Sequence, residues 1–173
     1  MNKLQVPNEL VPIISALLKD YTFMLYGRND ASCFSRKGKI GFTNLMMFML
    51  NFLNKSTQQE LNDFFKLIGR EKSTVTQQAF SEARQKVKAE AFIKLLQVST
   101  QTMTSVDDLT LFNGYRISSI DGSSIALENT PELHSYFGVS GNGGYAVTAR
   151  ASILYDGSND TIIDARIVPL LLR

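Results

Sequence analysis

Apolar residues recur at helical spacing through the front of the chain and at strand spacing through its back. Phe42, Leu45, Met49, Phe52 and Leu53 fall at i, i+3, i+7, i+10 and i+11, the stripe of a helix of about three turns. Thr57, with Glu60 three residues on, forms a capping box that opens a second helix carrying Leu61, Phe64, Phe65 and Ile68, and Gly69 ends it. Thr74 with Gln77 opens a third, from about Val75 to Lys88, which turns Phe80, Ala83 and Val87 inward. A longer helical stretch follows through Phe92, Leu95 and Leu96, and an earlier helix from about Asn8 to Tyr26 completes a small bundle.

The period then changes to two. Val147, Ala149, Ala151, Ile153 and Tyr155 alternate with Thr148, Arg150 and Ser152, and Ile163, Ala165 and Ile167 alternate with Asp164 and Arg166. DGSND between these runs is a hairpin loop. Upstream, YRISSI is a third strand, after which SSIAL continues extended or returns. The expected fold class is α+β, helices first and antiparallel strands after, with a boundary near residue 110: 1–110 helical, 111–173 strands.

Composition narrows the function classes. The chain has 173 residues and 44% apolar composition, which predicts a packed core rather than disorder. Cys33 is the lone cysteine, so an internal disulfide or a cysteine-based zinc site is impossible, and a reducing, cytoplasmic setting is expected. The longest apolar runs, Leu45 to Leu50 and Val168 to Leu172, are far short of the roughly 18 residues of a spanning helix, so no membrane partner is expected. Residues 1–110 carry 14 Lys and Arg against 10 Asp and Glu, whereas residues 111–173 carry 4 against 6, so the cations that an anionic partner would need lie mainly in the helical part.

Several chemistries fail on residue type. His134 is the lone histidine, and GVSGN lacks the final glycine of a nucleophile elbow. The glycines at 138, 141, 143 and 144 lead into a strand, not a helix, and no Lys-Ser or Lys-Thr follows, so they read as a flexible connection. Asp156, Ser158 and Asp160 mimic the first ligands of a calcium loop, but Thr161 stands in place of its glycine and Ile167 in place of its glutamate; they read as turn polarity. Carboxylates remain as the metal ligands the chain can offer. Asp121 has two readings: an Asp-Gly turn, or a carboxylate presented from a central strand to magnesium.

In the helical part, Gln78, Ser81, Gln85 and Lys88 form one polar face of the third helix. With the preceding helix and a short turn they resemble a helix-turn-helix whose second helix enters a major groove. Glutamine can pair with adenine, serine reaches several base edges, and lysine meets guanine or phosphate. Arg36, Lys37 and Lys39 in SRKGK are candidate phosphate contacts. Arg84, at the edge of the apolar stripe, is a candidate for a buried ion pair.

Together, TNLMMFMLNFLNKSTQQELNDFF, TVTQQAFSEARQKVKAEAF, YRISSIDGSSIALENTPELHSYFG and ARASILYDGSNDTIIDARI resemble a bacterial insertion-sequence transposase of the three-carboxylate (DDE) type, in the group with a Tyr-Arg-Glu-Lys signature. The resemblance runs from about Thr43 to Val168. It implies an all-helical DNA-binding region followed by a ribonuclease-H-like core, whose first strand carries the first catalytic, metal-ligating aspartate at the position of Asp121. The implied reaction is hydrolysis and strand transfer at transposon ends with Mg2+ or Mn2+. The implied partners are duplex DNA of the inverted repeats and either a second copy or a longer transposase, in a bacterial cytoplasm close to the nucleoid.

The second aspartate and the glutamate of that family have no counterpart before Arg173. The expectation is therefore an amino-terminal part of a transposase with an incomplete core, inactive by itself, its uncovered strands weakly stable or self-associating. Two other readings stand beside it: a short DNA-binding inhibitor of transposition, and a helical interaction protein with no DNA role.

Overall fold

The computed structural model describes residues 9–36, 38–51, 55–105, 109–138 and 146–169. Among these residues the chain is α+β, with seven α-helices and one three-stranded antiparallel sheet. It divides into two units that meet in sequence between Val98 and Ser99, where the sequence pattern had suggested a boundary near residue 110.

The helical unit opens with α1 (Leu10–Lys19) and α2 (Tyr21–Gly27). One continuous helix over this stretch was expected; Asp20 interrupts it. Its backbone is extended, with ψ 127°, and its carboxylate accepts the Thr22 N–H at 2.7 Å and the Thr22 hydroxyl at 2.8 Å. A short side chain that bonds its own backbone competes with the helix and caps the next one. Gly27 closes α2 where an added Cβ would stand 2.9 Å from the Phe42 ring and 3.0 Å from Ala91, so the absence of a side chain allows this close approach.

Helices α3 (Phe42–Met49), α4 (Thr57–Leu67) and α5 (Gln77–Arg84) pack around Leu45, Phe48, Leu61, Phe65, Val75 and Phe80. Phe48 meets the rings of Phe64 and Phe80 edge-on. A second cluster joins Leu18, Phe23, Phe42 and Met46 to Ala91 and Leu95 of α6 (Ala89–Thr104). Phe52 and Leu53, expected on the α3 stripe, lie outside the described residues. The capping box of α4 sits one residue earlier than its spacing suggested: Ser56 is the N-cap and its N–H donates to Gln59 Oε1 at 3.4 Å. Gly69, at φ 71°, ends α4 as expected, with its N–H on the Lys66 carbonyl and the Arg70 N–H on that of Phe65.

In the sheet unit, β1 (Ser118–Ala126), β2 (Thr148–Asp156) and β3 (Thr161–Pro169) are ordered β1-β2-β3. The alternation in sequence was the right guide here, and DGSND supplies the β2–β3 turn, with Asp160 at φ 49°. A short helix, α7 (Pro131–Phe137), lies between β1 and β2 in sequence. Ahead of β1, Phe112 and Tyr115 exchange both backbone hydrogen bonds across Asn113-Gly114, both at positive φ, a tight turn of the type this dipeptide favours.

Candidate functional site

Asp121 is not in a turn. It stands in the middle of nine residues of unbroken strand, paired with Ile153, while Gly122 pairs with Ser152. Of the two sequence readings of SSIAL, continuation is the observed one. The strand is also not central among the three: β1 is an edge, with β2 between it and β3.

Register and alternation define what surrounds the carboxylate. On its face of the sheet lie Ser119, Ser123 and Ile125 of β1, Ala149, Ala151, Ile153 and Tyr155 of β2, and Ile162, Ala165 and Ile167 of β3. Among the described strand residues, Asp121 is the one charged residue on that face. Arg150, Asp156, Asp164 and Arg166 all fall on the other. Asp121 is exposed, and one carboxylate oxygen accepts the Gly122 N–H at 2.7 Å. Magnesium takes oxygen ligands, commonly one or two carboxylates with water and phosphate oxygens. Asp121 fits as one such donor, but no group of three or more His, Cys, Asp or Glu side chains comes together among the described residues. A complete carboxylate set is thus not formed by these residues.

The acidic hub of the unit is elsewhere. Asp156 is fully buried at the end of β2 and pairs with Arg116. Its carboxylate also accepts the backbone N–H groups of Ser158 and Asn159, both at 3.0 Å, and the Asn159 side-chain amide at 2.9 Å. Burial pushes the Asp156 carboxyl upward, but the hydrogen bonds from Arg116 and Asn159 outweigh it, leaving the group below its ordinary value. Asn159 in turn accepts the Thr110 N–H at 2.8 Å and donates to the Thr110 carbonyl at 3.1 Å, acting as a short strand partner. Turn polarity accounts for Ser158. It understates Asp156, whose only sequence signal was its place at the head of an Asp-Gly-Ser-Asn loop.

In the helical unit the expected reading helix is shorter than its pattern. Thr76, not Thr74, is its N-cap, accepting the Ala79 N–H at 3.2 Å, and the helix stops at Arg84. Gln78 and Ser81 are on α5; Gln85 is its C-cap, and Lys88 lies beyond a β-bridge residue, so the four do not form one helical face. The Gln78 amide donates to Glu82 at 3.2 Å. The connection from α4 runs from Ile68 to Thr76 and holds a 3-10 turn at Glu71–Ser73, longer than the 3–4 residues of a helix-turn-helix. Gln58 braces it: Oε1 accepts the Gln77 N–H at 2.9 Å and Nε2 donates to the Val75 carbonyl at 3.1 Å. Arg36 and Lys39 are exposed, and Lys37 lies outside the described residues. Arg84 is exposed and has no ion pair among the described residues, against the buried pairing its position suggested. No helix among the described residues is long and apolar enough to cross a membrane.

Compared with protein-family models, with curated proteins and with solved structures, the chain matches none.

Proposed function

We propose that the chain is a DNA-binding protein of the DDE transposase kind. In this reading the helical unit holds duplex DNA. The sheet unit is the opening of a ribonuclease-H-like core that offers Asp121 as one ligand to Mg2+ or Mn2+, the remaining ligands including phosphate oxygens. The observation that carries it is the lone, exposed carboxylate in mid-strand on an otherwise uncharged sheet face. Aspartate is disfavoured within strands. An Asp-Gly turn, which would have explained the residue cheaply, is not what the backbone does there.

One observation favours a second role for the same residue. β1 is an edge strand, and a charge on the apolar face of an edge discourages strand addition by another chain. Asp121→Lys separates the two roles, since it keeps a charge and removes the ligand. Metal ligation predicts that Mn2+, added with duplex DNA from the ends of an insertion sequence, broadens the backbone resonances around Asp121 in the native chain and not in Asp121→Lys. Edge protection alone predicts equal broadening in both. The DNA reading is tested by electrophoretic shift: salt-sensitive binding that prefers end sequences is expected, and a chain that shifts no duplex sinks it.

A further inference from the structure

Two basic stretches, far apart in sequence, are joined at one corner of the helical unit. Arg28 and Val87 form an isolated antiparallel bridge. The Asn29 N–H donates to the Lys86 carbonyl at 2.9 Å and the Lys88 N–H to the Gly27 carbonyl at 2.8 Å, while the Asn29 side chain donates to the Gln85 carbonyl, 56 residues away. These bonds tie the start of the 28–40 loop to the α5–α6 link. The end of the same loop is tied as well, because Ile40 shares an apolar cluster with Phe80 and Ala83 of α5. The loop contributes exposed Arg36 and Lys39, and the helix end and link contribute exposed Arg84 and Lys86 with half-buried Lys88. None of these five is ion-paired among the described residues.

The neighbouring charges are accounted for separately. Arg28 Nη1 is spent on the loop itself, donating to the Ala31 carbonyl at 2.7 Å and the Cys33 carbonyl at 3.4 Å. Asp30 is held ionised, its carboxyl lowered to about 2, first by the Ser32 hydroxyl and then by the Ser32 N–H and the Cys33 thiol, so it subtracts one charge from the corner. Along α5, Glu82 stands beside Gln78 and repels phosphate from that side. Arg84, Lys86 and Lys88 thus lie at the carboxyl end of α5 and in the link after it, with Arg36 and Lys39 on the loop bridged to that link. Glu90, exposed on the first turn of α6, subtracts one further charge, and Lys19, Arg70, Lys72 and Lys94 are the other exposed cations of the unit in no ion pair among the described residues.

Resting on the DNA-binding reading above, we infer that Arg84 and Lys86, together with Lys39 and Arg36, form the surface that contacts the phosphate backbone of duplex DNA. The bond network holds residues 27–29 against residues 85–88 before DNA arrives, which lowers the ordering cost of binding at the α5–α6 link. Contacts of this kind set affinity and position, not sequence preference. Each cation that neutralises a phosphate adds about 0.9 to the steepness with which log K falls against log salt.

The test is fluorescence anisotropy of the full chain on a labelled linear duplex of mixed sequence, between about 50 and about 200 mM salt. Arg84→Gln with Lys86→Gln is expected to flatten the salt slope by about 1.8, and Lys39→Gln alone by about 0.9. Gln78→Ala should leave the slope at its native value. Lys39→Gln lies outside the helices, so it carries the test by itself if the double variant fails to fold. Native slopes in the folded variants, with the native chain still binding, overturn this inference and leave the DNA reading standing. A native chain without salt-sensitive binding, as an acidic protein partner in place of DNA would produce, overturns both.

Discussion

The largest fully buried side chains of the helical unit are Phe48, Phe65, Leu45, Met46, Leu61 and Val75, whereas in the sheet unit they are Val147 and Asp156. The first set is apolar and interlocked through aromatic edges. The second has an ion at its centre. On the sheet, Ile120, Ile125, Ile153, Ile162 and Ile167 remain 39% to 79% exposed. Burial at roughly 25 cal/mol per Å2 of apolar surface holds the helices, and the strands gain far less from it. What they have instead is a polar latch in which Arg116, Ser158 and Asn159 converge on one carboxylate and Asn159 reaches Thr110. An unpaired ion in such a place is costly, so the latch works only while it is complete.

The contrast breaks most sharply at Phe48. Phe48→Ala should destabilise the helical unit by about 3–5 kcal/mol, because it removes a ring with no exposure and leaves a cavity against Phe64 and Phe80. Urea titration with amide exchange in α4 and α5 measures it, and a loss below about 1 kcal/mol would mean that the cluster repacks. Next comes Asp156→Ala, expected to cost about 3 kcal/mol at neutral pH by stranding the Arg116 guanidinium and the loop amides. Loss of amide protection at the β2–β3 turn is the readout.

The same carboxylate gives the comparison a pH axis. Its folded value is depressed below the ordinary 3.8, so the unfolded chain binds the proton more readily. The stability it provides is full above the unfolded value and is lost as pH falls through the folded one. Acid should therefore loosen the β2–β3 turn below about pH 4 in the native chain and not further in Asp156→Ala. Equal acid sensitivity in both would remove Asp156 from the explanation. The smallest effect is expected at Thr76→Ala, about 1 kcal/mol from loss of the α5 cap, seen as a shift of the urea midpoint with unchanged slope.

Much of the element order was legible because it depends on local spacing. The stripe of Leu61, Phe64 and Phe65 marked α4, Gly69 marked its end, and the alternation from Thr148 to Tyr155 marked β2. Errors gathered at helix ends, where several polar residues compete for the same backbone N–H groups. Ser56 prevailed over Thr57 and Thr76 over Thr74, and Asp20 cut a helix that apolar periodicity carried straight through. The face of Gln78, Ser81, Gln85 and Lys88 dissolved for another reason: helical spacing assumes a helix, and the chain leaves it at Arg84 to bridge Val87 with Arg28.

By itself, the sequence determined most of the helices and strands, because a period of 3.6 or 2 is written in neighbouring residues; α7, the break at Asp20 and the continuation of β1 through Asp121 and Gly122 were not legible in it. It also confined the available metal ligands to carboxylates, since one histidine and one cysteine exclude the other sets. Only the tertiary structure decided that Asp121 stands exposed in an edge strand instead of turning the chain, that Asp156 is the buried ion, and that the link after α5 pairs through Lys86, Val87 and Lys88 with Gly27, Arg28 and Asn29. Each of these depends on strand register or on pairing between residues tens of positions apart. Such pairings are set by which backbone groups and apolar faces find partners across the fold, which no local period encodes.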